Sequence, residues 1–567
     1  MKAVERKSDL NKRNSQDKNK HYSLNKTIKV DSGSGRLMTG ITSAFLLYML
    51  VIYPLALHDH YFDITYTKYT VFKVGVILFA VIWAMGLVIV LTGINAGGMK
   101  GRHAGGNVKV GTMDKLKAVI CDGVYGTDIC MVLFFISGVM SFIMAEDKKN
   151  AFTGAQGRYC GLAFMILIFI MYIIVSARVS NMEKMWSLIS MVFVLVSSVT
   201  FIIAILQNIG FDPFKLLDGI NRKQRNIYVS TFGNIDIFGS FICIALPLFM
   251  GLYVTEKSNI KRIVYGIGVF AGFMAFIPAN ADVVFAGVGA AVIAVLFATV
   301  YMERVDRLFE LVMLGSGGYL GMVLLRMLVG TNGAKITGFN RLAEHPALLV
   351  IIFAVGLFIR LIIRVYINRN KTEIYINENK SEVYINKQKN GTGIKLIIAL
   401  AVVLISGIAV IIYGIKNNLA MFDFNDKWGS YRGYIWRRVT GLYGELPFVQ
   451  KIFGHGNESI RSLMDDRFYD EMLQVTGTVY DNAHNEYLQY LVTQGLFGML
   501  SYGGVVVTAV IAGVKKIKKS PYILGLLLAV VSYGVQAIFN VNQCITTPYM
   551  FIMTAMLIGM CRRASEE

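Results

Sequence analysis

Charge is scarce in this chain. Asp, Glu, Lys and Arg make up 16% of its 567 residues, where soluble domains carry about 25%. With 55% hydrophobic residues and a mean hydropathy of +0.54, an ordinary soluble globule is excluded. The six cysteines, Cys121, Cys130, Cys160, Cys243, Cys544 and Cys561, are scattered, mostly in or beside apolar segments, and form neither a CxxC pair nor a disulfide framework, which leaves them packing roles. Metal-ligand spacings such as HExxH, or a DxD pair on the outer face, are also absent. The nearest acidic pair, Asp465-Asp466, sits in an ordinary polar run, so no metal and no cofactor is expected. The first 36 residues are polar and Lys-rich, which is not the pattern of a cleavable signal peptide.

Long apolar runs dominate instead. Runs able to cross about 30 Å of hydrocarbon fall at 37–57, 71–93, 127–145, 160–178, 186–206, 237–254 and 263–278. Others follow at 283–301, 308–328, 347–365, 394–415, 487–513, 521–541 and 548–561. The expected fold class is therefore all-α, a polytopic integral membrane protein of about fourteen transmembrane helices. Lys and Arg are distributed unevenly over the alternate connections, 32 in the set that includes both termini against 18 in the other. The positive-inside rule then places both termini in the cytoplasm. The net charge of +20 is mostly topological, and nucleic acid is not an expected partner; membrane lipids are.

The chain divides accordingly. A basic cytoplasmic tail (1–36) precedes transmembrane helices 1–11 (37–415). Within these, a cytoplasmic connection (366–393) carries a nine-residue repeat, VYINRNKTE, IYINENKSE and VYINKQKNG, read as a low-complexity spacer. A large outer loop (416–486), with short helical patterns, precedes helices 12–14 (487–561) and a short cytoplasmic tail (562–567).

The candidate chemistry lies on the outer connections. In NAHNEYLQY (482–490), Asn482 is a plausible N-cap that puts His484 in the first turn of the twelfth span. Tyr487, Leu488 and Leu491 continue the same helical face. The positive end of the helix dipole disfavours imidazolium there, so a neutral, proton-accepting His484 is expected; a histidine that merely caps is the plainer alternative. Upstream, RGYIWRRVTGLY places Arg432, Trp436, Val439 and Tyr443 on one stripe, with Arg437 and Arg438 turned away. An Arg beside an aromatic suits phosphate or sugar recognition, or else anchors a helix at the headgroups. Arg158 in GAQGRYCG precedes the fourth span. In RKQRNIYVSTFGNID, Gly233 and Asn234 open a helix whose N-terminus is an anion site in waiting, with Arg222, Lys223 and Arg225 close in sequence. The spans themselves show no ionisable residue near the midplane, where a proton-coupled transporter usually has one.

At these motifs the chain resembles the O-antigen ligase and polysaccharide polymerase family. The likeness spans roughly residues 150–505 and rests on AHNEYLQYLVTQGLFG (483–498), RGYIW (432–436), the later FGHG, TFGN (231–234) and GRYCGL (157–162). The resemblance implies a metal-independent membrane glycosyltransferase of the GT-C-like kind. Such an enzyme takes a glycan from an undecaprenyl-diphosphate-linked donor on the outer face to a hydroxyl on a saccharide or lipid-linked acceptor. It puts the family's essential His at His484 and its loop Arg at Arg432. Arg158, Arg225, Arg222, Gly233 and Asn234 would then face the donor diphosphate, and Trp436 and Tyr487 its sugars. Two places depart from the family pattern: PANADVVFAG (278–287) lacks the usual Ser-Arg pair, and TFGN continues as ID rather than PN. A lipid-linked oligosaccharide flippase, a small-solute transporter and a non-catalytic sensor or scaffold are the competing readings. A flippase would need cations deep in several spans.

Overall fold

The structure is a computed structural model that describes residues 33–92, 123–179, 183–333, 335–347, 349–361 and 423–566, with Ile412 and Lys416 besides. The tail up to residue 32, the connection 93–122, the nine-residue repeat and, but for Ile412, the span expected at 394–415 lie outside them.

The described chain is almost wholly helical. The first half contains α1 (Gly33–Leu47, continued to Leu55 through a π-helical turn), α2 (Ile64–Thr92), α3 (Gly126–Met144), the short α4 (Lys148–Thr153), α5 (Leu162–Arg178) and α6 (Glu183–Asn208). Then come α7 (Ile235–Thr255), α8 (Asn259–Met274), α9 (Asp282–Tyr301), α10 (Val305–Val329) and α11 (Leu349–Leu361). The outer-loop region holds α12 (Trp428–Glu445), α13 (Phe448–Phe453) and α14 (Ile460–Thr476). The chain closes with α15 (Glu486–Thr493), α16 (Gly495–Lys516), α17 (Ile523–Gln536) and α18 (Thr547–Glu566). The two strands, β1 (Tyr228–Val229) and β2 (Gly233–Asn234), pair antiparallel with Tyr228 opposite Asn234.

Among the described residues nine helices are long and apolar enough to cross a membrane, ten if the segments Gly338–Glu344 and Leu349–Leu361, bent by 81°, make one span. The expected count of fourteen is therefore not met by these residues. Two expected spans also change shape. The run 487–513 is broken between α15 and α16, because Gln494 leaves helical geometry and Gly495 has φ +72°. The run 521–541 ends at Gln536, and a polar loop, 537–546, follows.

Uniformly apolar helices meet two fates here. α7 is at the centre, with every residue from Phe238 to Thr255 buried. It packs so closely on α17 that a Cβ on Gly251 would collide with the Gly525 backbone, the small-residue contact by which membrane helices approach one another. α2 is equally apolar, yet leaves Val74, Leu78, Val81 and Met85 exposed, the face that hydrocarbon covers in a bilayer.

The connections gather at two ends of the bundle. At one end Thr255 Oγ1 donates to Pro521 O (2.6 Å), Arg304 Nη1 to Val254 O (3.2 Å) and Arg562 Nη1 to Ser176 O (2.8 Å). At the other, Asn332 N–H donates to Asn208 O (2.9 Å), Thr231 Oγ1 to Pro54 O (2.6 Å) and Asn280 Nδ2 to Lys335 O (3.0 Å). At this second end α12, α14 and α15 share an apolar core of their own around Tyr434, Ile435, Val439, Met464 and Val492. That unit sits over the loops that carry the site.

Candidate active site

His484 stands just outside a helix. Asn485 has extended backbone angles and accepts the Leu488 N–H (3.0 Å), so it, and not Asn482, is the N-cap of α15. His484 is one residue earlier with φ +46°, a left-handed conformation that no residue inside a helix adopts. Asn482 instead accepts the His484 N–H at 2.8 Å, an Asx turn that holds the bend. The imidazole lies edge-on to Tyr480, with centroids 5.4 Å apart. Burial, then Arg432, then Arg158 push its pKa down to about 4, against an opposing pull from Asp481. This favours a neutral imidazole near pH 7 through desolvation and two guanidinium groups, not through the dipole of a first turn.

Arg432 is fixed by the start of α12. Gly429, Ser430 and Tyr431 all have positive φ, which kinks the helix here. Arg432 Nη1 then donates back to Gly429 O (2.8 Å) and Nε to Phe539 O (2.9 Å), while Nη2 lies 3.9 Å from Asp236 Oδ2. One turn along, Trp436 stacks on Phe539 and lies against Trp428, with centroids 6.1 and 5.2 Å apart. Arg437 and Arg438 are occupied elsewhere, with Asp426 and Glu471.

Arg158 is buried and held by three groups. Its Nε is 3.1 Å from Glu458 Oε2, Nη1 is 3.6 Å from Asp481 Oδ1, and Nη2 donates to Asn542 Oδ1 at 3.1 Å. Glu458 arrives there because FGHGNE plugs the break between α15 and α16. His455 and Gly456 donate to the orphan carbonyls of Val492 (3.0 Å) and Thr493 (3.2 Å), helix-end groups that need such partners. Asn457 accepts from Gln494 Nε2 (3.2 Å) and donates to Gly138 O (3.2 Å). Gly454, at φ +88°, has no room for a Cβ, which would strike Thr493 O.

The other sequence candidates lie elsewhere. Arg222 is exposed, and Arg225 donates Nε to Ile220 O (3.1 Å) on the far side of the β1–β2 turn. Neither acts on His484, whose imidazole feels Arg432, Arg158 and Asp481. Gly233 supplies the φ +82° of the turn. Asn234 Oδ1 already accepts the Asp236 N–H (2.7 Å). The N-terminus of α7 is thus self-capped and presents the Asp236 carboxylate to Arg432, which corrects the expectation of an open anion site. Tyr487 is engaged within the bundle: its hydroxyl donates to Gly534 O (2.9 Å) and its ring packs on Tyr502.

Five neighbours escaped the sequence reading: Asp236, Glu458, Asp481, Phe539 and Asn542. One signal pointed to the last. The run NVNQCITT (540–547) packs amide and hydroxyl side chains between two apolar helices without one Lys or Arg, and Asn540, Asn542 and Gln543 are all buried.

An imidazole between two guanidinium groups can accept a proton beside a bound anion. Residues 238–503 match the family model for O-antigen ligase. The match covers just under half of the chain and supports its assignment to the O-antigen ligase family. It supports, in general terms, a membrane glycosyltransferase activity of the O-antigen ligase type, a family that acts on lipid-linked glycans and a saccharide acceptor. Arg432, Glu458, Asp481 and His484 fall within the O-antigen ligase match, whereas Arg158, Asp236 and Asn542 fall outside it. No curated protein matches the chain.

Proposed function

We propose that this site transfers a glycan from undecaprenyl diphosphate to a hydroxyl of a saccharide or lipid-linked acceptor, with inversion and without a metal ion. The site would lie on the outer face of the cytoplasmic membrane, the side that the Lys and Arg bias assigns to 416–486. The observation that supports the reading best is His484 held neutral between Arg432 and Arg158. The acceptor oxygen attacks the anomeric carbon as the bond from that carbon to the diphosphate oxygen breaks, and the hydroxyl proton passes to His484. The charge that develops on the leaving diphosphate is met by Arg432 and Arg158, a preorganised electrostatic stabilisation that takes a metal ion's part. Trp436, one turn along α12 from Arg432, offers an aromatic surface for the sugar. A base of pKa about 4 is weak. Burial is the largest cause of that depression and persists; a diphosphate between the two arginines offsets their share of it, so the base strengthens when the donor is bound. General-base assistance of this kind contributes roughly 10²–10⁴-fold.

The test is transfer in nanodiscs from an undecaprenyl-diphosphate glycan, comparing wild type with His484→Ala and Arg432→Ala, with and without chelator. Release of undecaprenyl diphosphate that needs both residues and survives the chelator is the expected result. No release, together with passage of labelled lipid-linked glycan across the bilayer of protein-containing vesicles, would overturn the reading in favour of a flippase.

A further inference from the structure

A second cationic place lies at the same end of the bundle, away from His484. It is a narrow, open cleft between the C-terminal turn of α6, the Arg225–Ile227 turn before β1, the Ile277–Asn280 turn before α9, and the end of α10 with its following loop. Three cations from three separate stretches line it: Arg225, Arg326 and Lys335. None of His484, Arg432 and Arg158 does.

The charge of this cleft is uncompensated. No carboxylate is among its lining residues, and among the described residues none of the three cations has an ion-pair partner. The contrast is with Arg158, Arg307, Arg360 and Arg562, each of which does. Two acids close by are occupied. Asp212 accepts from Gln207 Nε2 (3.2 Å) and the Leu217 N–H (2.7 Å), and Asp282 accepts the Phe339 N–H (2.8 Å). Three like charges left facing one concavity raise its potential and draw in anions.

The cleft is also held in shape. Asn332 N–H donates to Asn208 O (2.9 Å), and Asn280 clamps the loop from both sides, donating to Lys335 O (3.0 Å) and accepting the Thr337 N–H (3.1 Å). Arg326 is steered by a hydrogen bond to Asn208 Oδ1 and Arg225 by one from Nε to Ile220 O. Nη1 and Nη2 of Arg225 and Nη2 of Arg326 have no protein partner among the described residues, so each fork keeps donors for an oxyanion. The lining amides of Asn208 and Asn226 suit hydroxyl groups beside that charge.

We infer that this cleft binds an oxyanion carried on a saccharide, a uronic carboxylate or a phosphate substituent, and so selects acidic glycans. The oxyanion rests on the cleft alone; the saccharide rests on the glycosyl-transfer reading. Asp236 is within electrostatic reach of both Arg432 and Asp282.

The probe is a tetragalacturonate, compared with a neutral tetrasaccharide of the same length. Each is titrated by calorimetry against the full chain carrying His484→Ala in phosphatidylcholine nanodiscs. The acidic probe is expected to bind at least tenfold more tightly, and Arg326→Gln with Lys335→Gln to remove that preference. Arg326→Lys, which keeps the charge, retains most of it, and this separates loss of charge from loss of fold. Arg432→Ala leaves it unchanged. Equal binding of the two probes, or a preference indifferent to Arg326 and Lys335, overturns the inference. So does loss of the acidic probe's binding when phosphatidylglycerol is added to the nanodisc, which would assign the cleft to a lipid headgroup. Because this variant lacks the proposed base, binding is read independently of transfer. Acid-selective binding with no transfer by wild type would sink only the glycosyl-transfer reading, and transfer without acid selectivity would sink only this one.

Discussion

Arg158 Nε and Glu458 Oε2 stand 3.1 Å apart with 9% and 3% of their side chains exposed. The pair joins two loops about 300 residues apart in the chain. Burial pushes the Glu458 carboxyl upward while Arg158 pulls it down. Glu458 is thus the buried, closer partner of Arg158, and the 40%-exposed Asp481 is the more distant, solvated one.

Glu458→Gln strands the guanidinium in a buried place. Breaking one side of such a pair is worth about 3–5 kcal/mol. Thermal unfolding in detergent should show a clear loss of stability, larger than that of Asp481→Asn.

Asp481→Asn acts on the donor instead. The carboxylate competes with a diphosphate for Arg158, so its removal should lower the donor KM several-fold, the effect of about 1 kcal/mol. Asp481 also holds the His484 pKa up, so the base becomes weaker and kcat should fall slightly. An unchanged or higher KM would show that Arg158 does not meet the donor.

Arg432→Lys keeps the charge and loses the fork. One ammonium cannot hold Gly429 O and Phe539 O as Nη1 and Nε do and still face the diphosphate. Transfer should fall roughly 10²-fold with little change in unfolding temperature.

His484 should titrate near pH 4 by histidine NMR, assigned by loss of its signal in His484→Gln, and should move upward toward 6.5 when a lipid diphosphate binds. The sign for stability follows. The folded pKa lies below the unfolded value of 6.5, so this group's contribution is full above pH 6.5 and is lost as pH falls through the window toward 4. A free-enzyme value near 6.5 would remove the two arginines from its surroundings.

Gly454→Ala should destabilise the protein by about 2–4 kcal/mol, since it combines a left-handed backbone with a collision at Thr493 O. Gly441→Ala, in α12 with open space around it, should be neutral or slightly stabilising. Parallel melting curves decide this.

The amino-acid sequence by itself determined the all-helical membrane character, because apolar run length and the shortage of charge are one-dimensional properties that the bilayer reads directly. It also singled out His484, Arg432 and Arg158, since a cation or imidazole at the end of an apolar run stands out without any knowledge of its neighbours. Only the tertiary structure decided which of the candidates meet. Arg225 and Arg158 look alike in sequence, yet one joins Arg326 and Lys335 while the other joins Glu458 and Asn542. The break at Gln494 was invisible for the same reason: its cause is the FGHGNE loop, some forty residues upstream, satisfying carbonyls that would otherwise have continued one helix. Asp236, Glu458 and Asp481 read as ordinary polar residues until folding set them against guanidinium groups. Charge compensation in a buried site depends on distances through space, and those arise only when the helices have packed.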